Sequence, residues 1–400
     1  VQDHYDAIVK LGNSKMKMNF VEKLVHHTRN NKAVYDFDNK FYKFPSYLRR
    51  SAITKAVGIV SSYMSQMEKW KAYDCNGAMP KLDKGNHLMP CFYKKNMFNC
   101  TNGEAYIKVY RNNDWVWQKI KLNHSDLKYI ENKAPLDKWS APVLEKKHGS
   151  YELRFTREFQ VELSNKEIFE QKVCAVDLGI TSDATCSVLD VHGTVLSRKF
   201  INCGKEKDSV ANALHRASSF QKEHGSHDVK RLWNIAKRRN LNHAHLAAHK
   251  IVDYALANSC DVIVFEYLDT KGRKKGSKKQ KLSMWKHQDI QKTTERLAHS
   301  LGIRVAHVCA WNTSKLAYDG SGVVLRGKKV SEDTPYDVCK FQSGKTYNCD
   351  LSASYNIGAR YIIKELIKVL PNIMTEVSNI GGGTSRTLST LWNINSVMVI

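Results

Sequence analysis

A chain of 400 residues has room for about two to three domains, at roughly 100–200 residues each. Its 42% hydrophobic and 10% aromatic content excludes general disorder, and only 21 Gly and 7 Pro exclude a collagen-like or proline-rich chain. Lys and Arg number 63 against 39 Asp and Glu, a formal charge of +24. Self-repulsion of that size opposes compaction unless a polyanion neutralises it, so nucleic acid is the expected partner, ahead of an anionic membrane. No apolar run approaches the ~20 residues of a membrane span, and no signal peptide is visible. The sequence starts at Val1, so the natural N-terminus is expected to lie beyond it.

Over 1–72 the chain reads as a helical lobe. After Pro45 and Ser46, apolar residues recur at Leu48, Ile53, Val57, Val60, Met64, Met67 and Trp70, the spacing of one helix face. Ser46 is the expected N-cap. The other face carries Arg49, Arg50, Lys55 and Lys69. It is either a solvated face or one laid along a phosphate backbone. Over 73–172 short β-type runs are broken by turn signals, as at 105–110, 115–122 and 151–155. Asn112-Asn113-Asp114 resembles a hairpin turn. A small antiparallel barrel or sandwich is expected there, with Trp115 and Trp117 expected to pack inside it rather than stack on bases.

From Val173 the pattern changes. Runs at 173–180, 184–191 and 194–201 read as three antiparallel strands. A long helical region, a buried strand at 262–265, a helix near 285–301 and a strand at 303–310 follow. The irregular stretch 311–348 reads as an insert. A final helix is expected near 351–370, and the Gly-containing tail 371–400 as loosely ordered. The ten cysteines are scattered without a C-x-x-C pair, which fits reduced thiols in a cytosolic protein.

Three acids stand at informative places. Asp177 lies in the apolar run Cys174-Ala-Val-Asp-Leu-Gly-Ile, Glu266 ends Val262-Ile-Val-Phe, and Asp350 precedes the last helix. Each has a plain structural reading: a turn start, a strand end and a helix N-cap. Taken together, a β-meander, a helix and a fourth strand with acids on the first strand, after the fourth and at the last helix match the ribonuclease H-like arrangement. Three converging carboxylates suit Mg²⁺, and two such ions about 3.5–4 Å apart can clamp an in-line phosphodiester displacement. One would lower the pKa of the attacking water, the other take up charge on the leaving 3′ oxygen. Gly179 is expected to leave room for a phosphate backbone. The order Asp…Glu…Asp favours a RuvC-type nuclease over a cut-and-paste transposase, which usually presents Asp…Asp…Glu.

Cys174-Ala-Val-Asp-Leu-Gly-Ile, Val262-Ile-Val-Phe-Glu-Tyr-Leu and Asp350-Leu-Ser-Ala-Ser-Tyr-Asn-Ile resemble the three RuvC motifs of the TnpB family, transposon-encoded relatives of type V CRISPR effectors. Asn312-Thr313-Ser314 resembles the opening of that family's insert. The resemblance implies a multidomain α/β protein. It would have a helical recognition lobe (1–72), a wedge barrel (73–172) and a RuvC nuclease in two parts (173–310 and 349–370), split by a target-nucleic-acid-binding insert (311–348). It implies RNA-guided cleavage of double-stranded DNA beside a short target-adjacent motif, with a structured guide RNA as partner. Asp177, Glu266 and Asp350 would be the catalytic Mg²⁺ ligands. A compact CRISPR effector, an intermediate between the two, and a guide-dependent repressor without cleavage are the rival readings. The expected setting is the bacterial cytoplasm, bound to the nucleoid through DNA, with the chain a monomer.

The family's insert usually carries two C-x-x-C pairs. Here the first reads Ser314-Lys-Leu-Ala-Tyr-Asp-Gly, and only Cys339 and Cys349 remain, too few for a tetrahedral zinc. No zinc is expected. His307 and Cys309 are expected in the core, and Trp311, Tyr318, Phe341 and Tyr347 are expected to hold the insert together. Two basic clusters are candidates for nucleic-acid contact: Lys271, Arg273, Lys274, Lys275, Lys278, Lys279 and Lys281 after Glu266, and Lys230, Arg231, Lys237, Arg238 and Arg239 on the long helix.

Overall fold

The computed structural model describes residues 1–72, 78–82, 90–101, 104–133, 138–147, 150–225, 229–268, 284–371 and 386–398. The chain divides into two compact units, Val1–Phe159 and Gln160–Ile400. The basic cluster at Lys271 to Lys281 lies outside the described residues.

The first unit opens with α1 (Tyr5–Val9), α2 (Ser14–Val25) and α3 (Ser46–Ala72). Asn13 caps α2 by accepting the Met16 N–H at 2.9 Å. Ile8, Val21 and Ile53 form the core between these helices. Ser46 is already helical rather than a cap, and the Arg49 N–H bonds the Pro45 carbonyl at 3.0 Å. Next come β1 (Phe98–Thr101), β2 (Glu104–Arg111) and β3 (Asp114–Ile120), an antiparallel sheet in that order. Its second hairpin turns at Asn112 and Asn113, both left-handed at φ 51° and 57°. That geometry matches the twist of the flanking strands. Helix α4 (His124–Lys133) leads to a hairpin of β4 (Val143–Lys147) and β5 (Ser150–Arg154).

Among the described residues these are two small sheets rather than one hydrogen-bonded barrel. One core holds them: Phe92, Met97, Phe98, Ala105 and Ile107 meet Leu144, Leu153 and Phe155, together with Leu48 from the start of α3.

The second unit is built on a five-stranded sheet: β6 (Val173–Asp177), β7 (Ala184–Leu189), β8 (Val195–Ile201), β9 (Val262–Tyr267) and β10 (Arg304–Cys309). The order across it is β10-β9-β6-β7-β8. The pairs β6–β7 and β7–β8 are antiparallel, whereas β9 runs parallel to both β6 and β10. Strands buried on both faces read as unbroken apolar runs, which explains Val173–Val176 and Val262–Phe265. Helix α5 (Gly204–His224) packs against α6 (Val229–Ala257), which together with α7 (His287–His299) covers one face. There Cys174, Val176, Ile263 and Phe265 pack with Ala244, Ala248, Ile251 and Ile290. The other face takes α8 (Cys349–Val369), whose Tyr355, Ile357 and Ile362 join the core of Val173, Ala175, Leu189, Val262 and Val264.

Between β10 and α8 the insert forms a small antiparallel sheet of β11 (Leu325–Arg326), β12 (Val338–Lys340) and β13 (Thr346–Asn348). Tyr318 packs edge-on to Phe341 at 5.5 Å and to Tyr347 at 5.1 Å. Trp311, expected in that cluster, is 63% exposed. The C-terminal stretch is not all loose. Helix α9 (Leu388–Met398) buries Leu388, Leu391 and Ile394 in the α8 core, and the Trp392 indole N–H donates to the Gly193 carbonyl at 3.2 Å. His307 and Cys309 are exposed, because β10 is an edge strand whose outer side is open.

Candidate active site

Asp177 is the last residue of β6, and Glu266 is the next-to-last of β9. The parallel register ends at Val176 opposite Phe265, so the two acids occupy the next step on neighbouring strands, which lie about 4.8 Å apart. Their side chains alternate to the face covered by α8, as Ala175 and Val264 do. Asp350 is in the first turn of α8. The cap of that helix is Asn348, whose side chain accepts the N–H groups of Asp350 and Leu351 at 3.0 Å each. Asp350 is therefore not a cap, and its carboxylate is free for the site.

A glycine lets the helix approach. A Cβ on Gly358 would stand 2.7 Å from Leu189 Cδ1 and 3.2 Å from Ala175 Cβ. Gly358 lies eight residues from Asp350, about 12 Å along the same helix. A Cβ on Gly179 would meet the Ser182 carbonyl oxygen at 2.6 Å, so glycine is needed to close the turn after β6.

Asp177 feels both of the other acids. Burial pushes Asp177 well above the ordinary carboxylate range; Glu266 and Asp350 push it further, and Arg326 opposes them. Burial also raises Glu266, against the Thr313 hydroxyl and the Arg360 charge. Asp350 is raised by burial, lowered by Arg326 and raised again by Asp337. Glu266 is buried, and its Oε1 has no hydrogen-bond partner. Among the described residues the oxygens of these three acids do not all lie within 4.8 Å of one another, as the ligand atoms of Asp183, Cys203 and His243 do. In donor chemistry, carboxylate oxygens, one of them buried and unpartnered, fit a hard divalent cation such as Mg²⁺.

Supporting groups escaped the sequence reading. Arg360 of α8 is buried, donating to the carbonyls of Cys309 at 2.8 Å, Trp311 at 2.7 Å and Arg386 at 3.1 Å. Asn356, wholly buried, donates to the Thr313 and Leu316 carbonyls and accepts the Leu388 N–H. One helix thus holds the root of the insert, the end of β10 and the C-terminal helix. Arg326 reaches the acids from the insert strand β11. A single Arg in an amphipathic segment carries no sequence signal that distinguishes it from a solvated one.

Arg49 is a correction. It is buried, not on a solvent face, and its guanidinium pairs with Glu22 at 3.2 Å. Arg50 pairs with the same carboxylate at 3.0 Å while staying partly exposed. Lys230, Arg231, Lys237, Arg238 and Arg239 are exposed on α6, with Arg239 donating to the Ser209 carbonyl. Elsewhere, Asp183, Cys203 and His243 bring a carboxylate, a thiol and an imidazole within 4.8 Å. Asp183 already holds Lys207 at 3.1 Å, His243 at 2.9 Å and the Cys203 N–H at 2.6 Å. Burial works to raise its pKa, and these donors lower it overall. That grouping is an ion network with Lys207 as its cation.

A family profile described as the Aq_aa04 family matches residues 1–111. No curated protein matches the chain in sequence. Similar solved structures include a Cas12f1–sgRNA–target DNA complex, at 14% identity and a TM-score of 0.39, covering 89% of this chain and 88% of that one. A CRISPR-Cas12f ternary complex is 13% identical with a TM-score of 0.39, covering 89% and 77%. CasPhi-2 (Cas12j) bound to crRNA is 13% identical with a TM-score of 0.41, covering 71% and 62%.

Proposed function

We propose that this chain is an RNA-guided, Mg²⁺-dependent endonuclease that cuts double-stranded DNA beside a short target-adjacent motif, of the TnpB type. The observation that carries the proposal is that Asp177 and Glu266 end neighbouring parallel strands and that Asp177 feels both Glu266 and Asp350, with a buried Glu266 oxygen left unpartnered. Fixing a nucleic acid by its phosphates needs lysine and arginine. It gives no reason to force three carboxylates together.

In this reading Asp177, Glu266 and Asp350 hold the cation. Bound there, Mg²⁺ supplies Lewis acidity that activates water and offsets charge on the leaving 3′ oxygen. Thr313 orients Glu266 through its hydroxyl, and the Arg360 charge works against the burial that raises Glu266. Arg326 offsets the repulsion between Asp177 and Asp350. The exposed cations of α6 contact backbone phosphates. The order β10-β9-β6-β7-β8 with α8 across it supports a ribonuclease H-like nuclease part, and the insert supports itself by aromatic packing without zinc.

Sequencing the RNA that co-purifies with the chain tests this. The expected result is one long RNA, partly folded, ending in a single-stranded guide of about 20 nucleotides or somewhat fewer. A guide matching a transposon flank supports the TnpB type, and a repeat–spacer transcript supports the CRISPR relative. Heterogeneous RNA, with DNA cleavage indifferent to added guides, would contradict the proposal.

A further inference from the structure

The outward face of the sheet β1-β2-β3 carries side chains that neither the fold nor the acidic site uses. Along β2, Ala105, Ile107 and Val109 join the core, so the alternate residues Tyr106, Lys108 and Tyr110 point away from it. The register sets Tyr106 opposite Lys119, Lys108 opposite Trp117 and Tyr110 opposite Trp115. The outer face therefore carries aromatic and basic groups on both strands, with Glu104 at one end, where it pairs with Lys119 and leaves Lys108 beside the Trp117 ring. Tyr110 is 49% exposed and Trp117 43%. Trp115 is held down instead: it packs against Tyr110 and Phe44 at 5.5 and 6.4 Å, and its indole N–H donates to the Lys43 carbonyl at 2.7 Å.

The remaining rings are positioned. The Tyr106 hydroxyl donates to Glu104 at 2.7 Å and the Tyr110 hydroxyl to Asn113 at 2.6 Å. The Lys108 ammonium stands 5.4 Å from the Trp117 ring centre. Large aromatics clustered in the open are uncommon on a surface with no binding task. Rings interleaved with lysines offer a stacking surface and backbone neutralisation together, which is how unpaired nucleic-acid strands are held.

The geometry points to this sheet face as a stacking platform for unpaired bases of an RNA. The inference rests on the proposal that RNA is a standing partner of the chain, and it names the surface and the part of the RNA involved. A ring can stack only on a base released from its own helix. Folded RNAs present such bases in loops and bulges as a standing feature, whereas a DNA target offers unpaired bases only after the guide has opened it.

The test is fluorescence anisotropy of the full chain with a labelled oligouridine of about 15 nucleotides, within the site size of single-strand binders, and with an RNA duplex of the same length. Tyr110→Ala and Trp117→Ala should each weaken oligouridine binding by about 5- to 100-fold. Duplex binding and the salt dependence should stay unchanged, because no phosphate contact is lost. Trp117→Phe should bind near the wild-type level. Unfolding midpoints of the variants show that the fold is intact. If the double alanine variant keeps its midpoint and binds oligouridine like the wild type, the platform is overturned. Equal losses on duplex and single strand overturn it too. Guided cleavage is scored separately. A wild-type chain that never cuts under guidance, yet loses oligouridine with Trp117, refutes the proposed function and leaves the platform standing.

Discussion

Asp177 and Glu266 stand side by side on parallel neighbours of one sheet, one step beyond the last paired residues Val176 and Phe265. Two carboxylates in adjacent, buried positions repel, and burial raises both. Nothing in the fold requires this pairing.

The first consequence concerns stability and pH. Asp177, Glu266 and Asp350 all have raised pKa values when folded. A carboxyl of this kind contributes stability that is complete below its unfolded value, about 4, and is lost as pH rises through the folded value. Metal-free protein at about pH 7.5 should therefore gain from Asp177→Asn, with a midpoint rise of about 2–4 °C per kcal/mol relieved. Below about pH 4 the substitution should be neutral. Added Mg²⁺ should raise the wild-type midpoint and leave the variant's nearly unchanged. Thermal unfolding in chelator and in Mg²⁺ at both pH values checks this.

Gly358 should not tolerate a methyl. Alanine in a helix ordinarily gains about 1 kcal/mol over glycine. Here its Cβ would press on Leu189 and Ala175, both fully buried. Overpacking of that kind costs about 1–3 kcal/mol. Gly358→Ala should lower the denaturant midpoint and slow cleavage, since α8 carries Asp350. A stabilised variant with full activity would show that the helix is not held at this distance.

How much of this was legible in the sequence depended on range. The apolar runs before Asp177 and Glu266 announced buried strands ending in acids, and period and turn chemistry found β2, β3 and their Asn112-Asn113 turn. Arg49 misled because its partner Glu22 is 27 residues away, so helix periodicity alone put it on a solvent face. Arg360 and Arg326 were invisible for the same reason: the carbonyls and carboxylates they serve come together only in the folded chain. The helix at Leu388 was hidden behind a glycine-rich run, and its apolar pattern has meaning only against α8. Trp115 and Trp117 share a face of β3 by strict alternation, but Phe44 and Lys43, distant in sequence, cover only the first.

Arg360→Ala should be costly. The guanidinium satisfies carbonyls on β10, the insert root and the segment before α9, and removing one member of a buried charged network costs about 3–5 kcal/mol. Lysine should not rescue it, because a point charge lacks the planar fork. Chemical denaturation of both variants measures this; a loss below about 1 kcal/mol would show that the three carbonyls find other donors.

The insert should need no zinc. The free Cys339 and Cys349 thiols interact, which lowers the first and raises the second, and Cys339 donates to the Tyr347 carbonyl at 3.3 Å. Cys339→Ser should cost about 1 kcal/mol, as for a small buried thiol. Metal analysis of chelator-washed protein should find less than one zinc per chain. A stoichiometric zinc that disappears in Cys339→Ser would refute the packing account.

The most direct test of the central claim is cleavage of a plasmid carrying the guide-matched target, in Mg²⁺, by the wild-type chain and by Asp177→Ala and Glu266→Ala loaded with the same RNA. The wild type should cut the matched plasmid and spare a mismatched one. Both variants should bind the target near normally and leave it uncut, because affinity comes from lysine and arginine on phosphates while the carboxylates hold the cation. Full cleavage by either variant at saturating Mg²⁺, or cutting by the wild type that ignores the guide, would contradict the account.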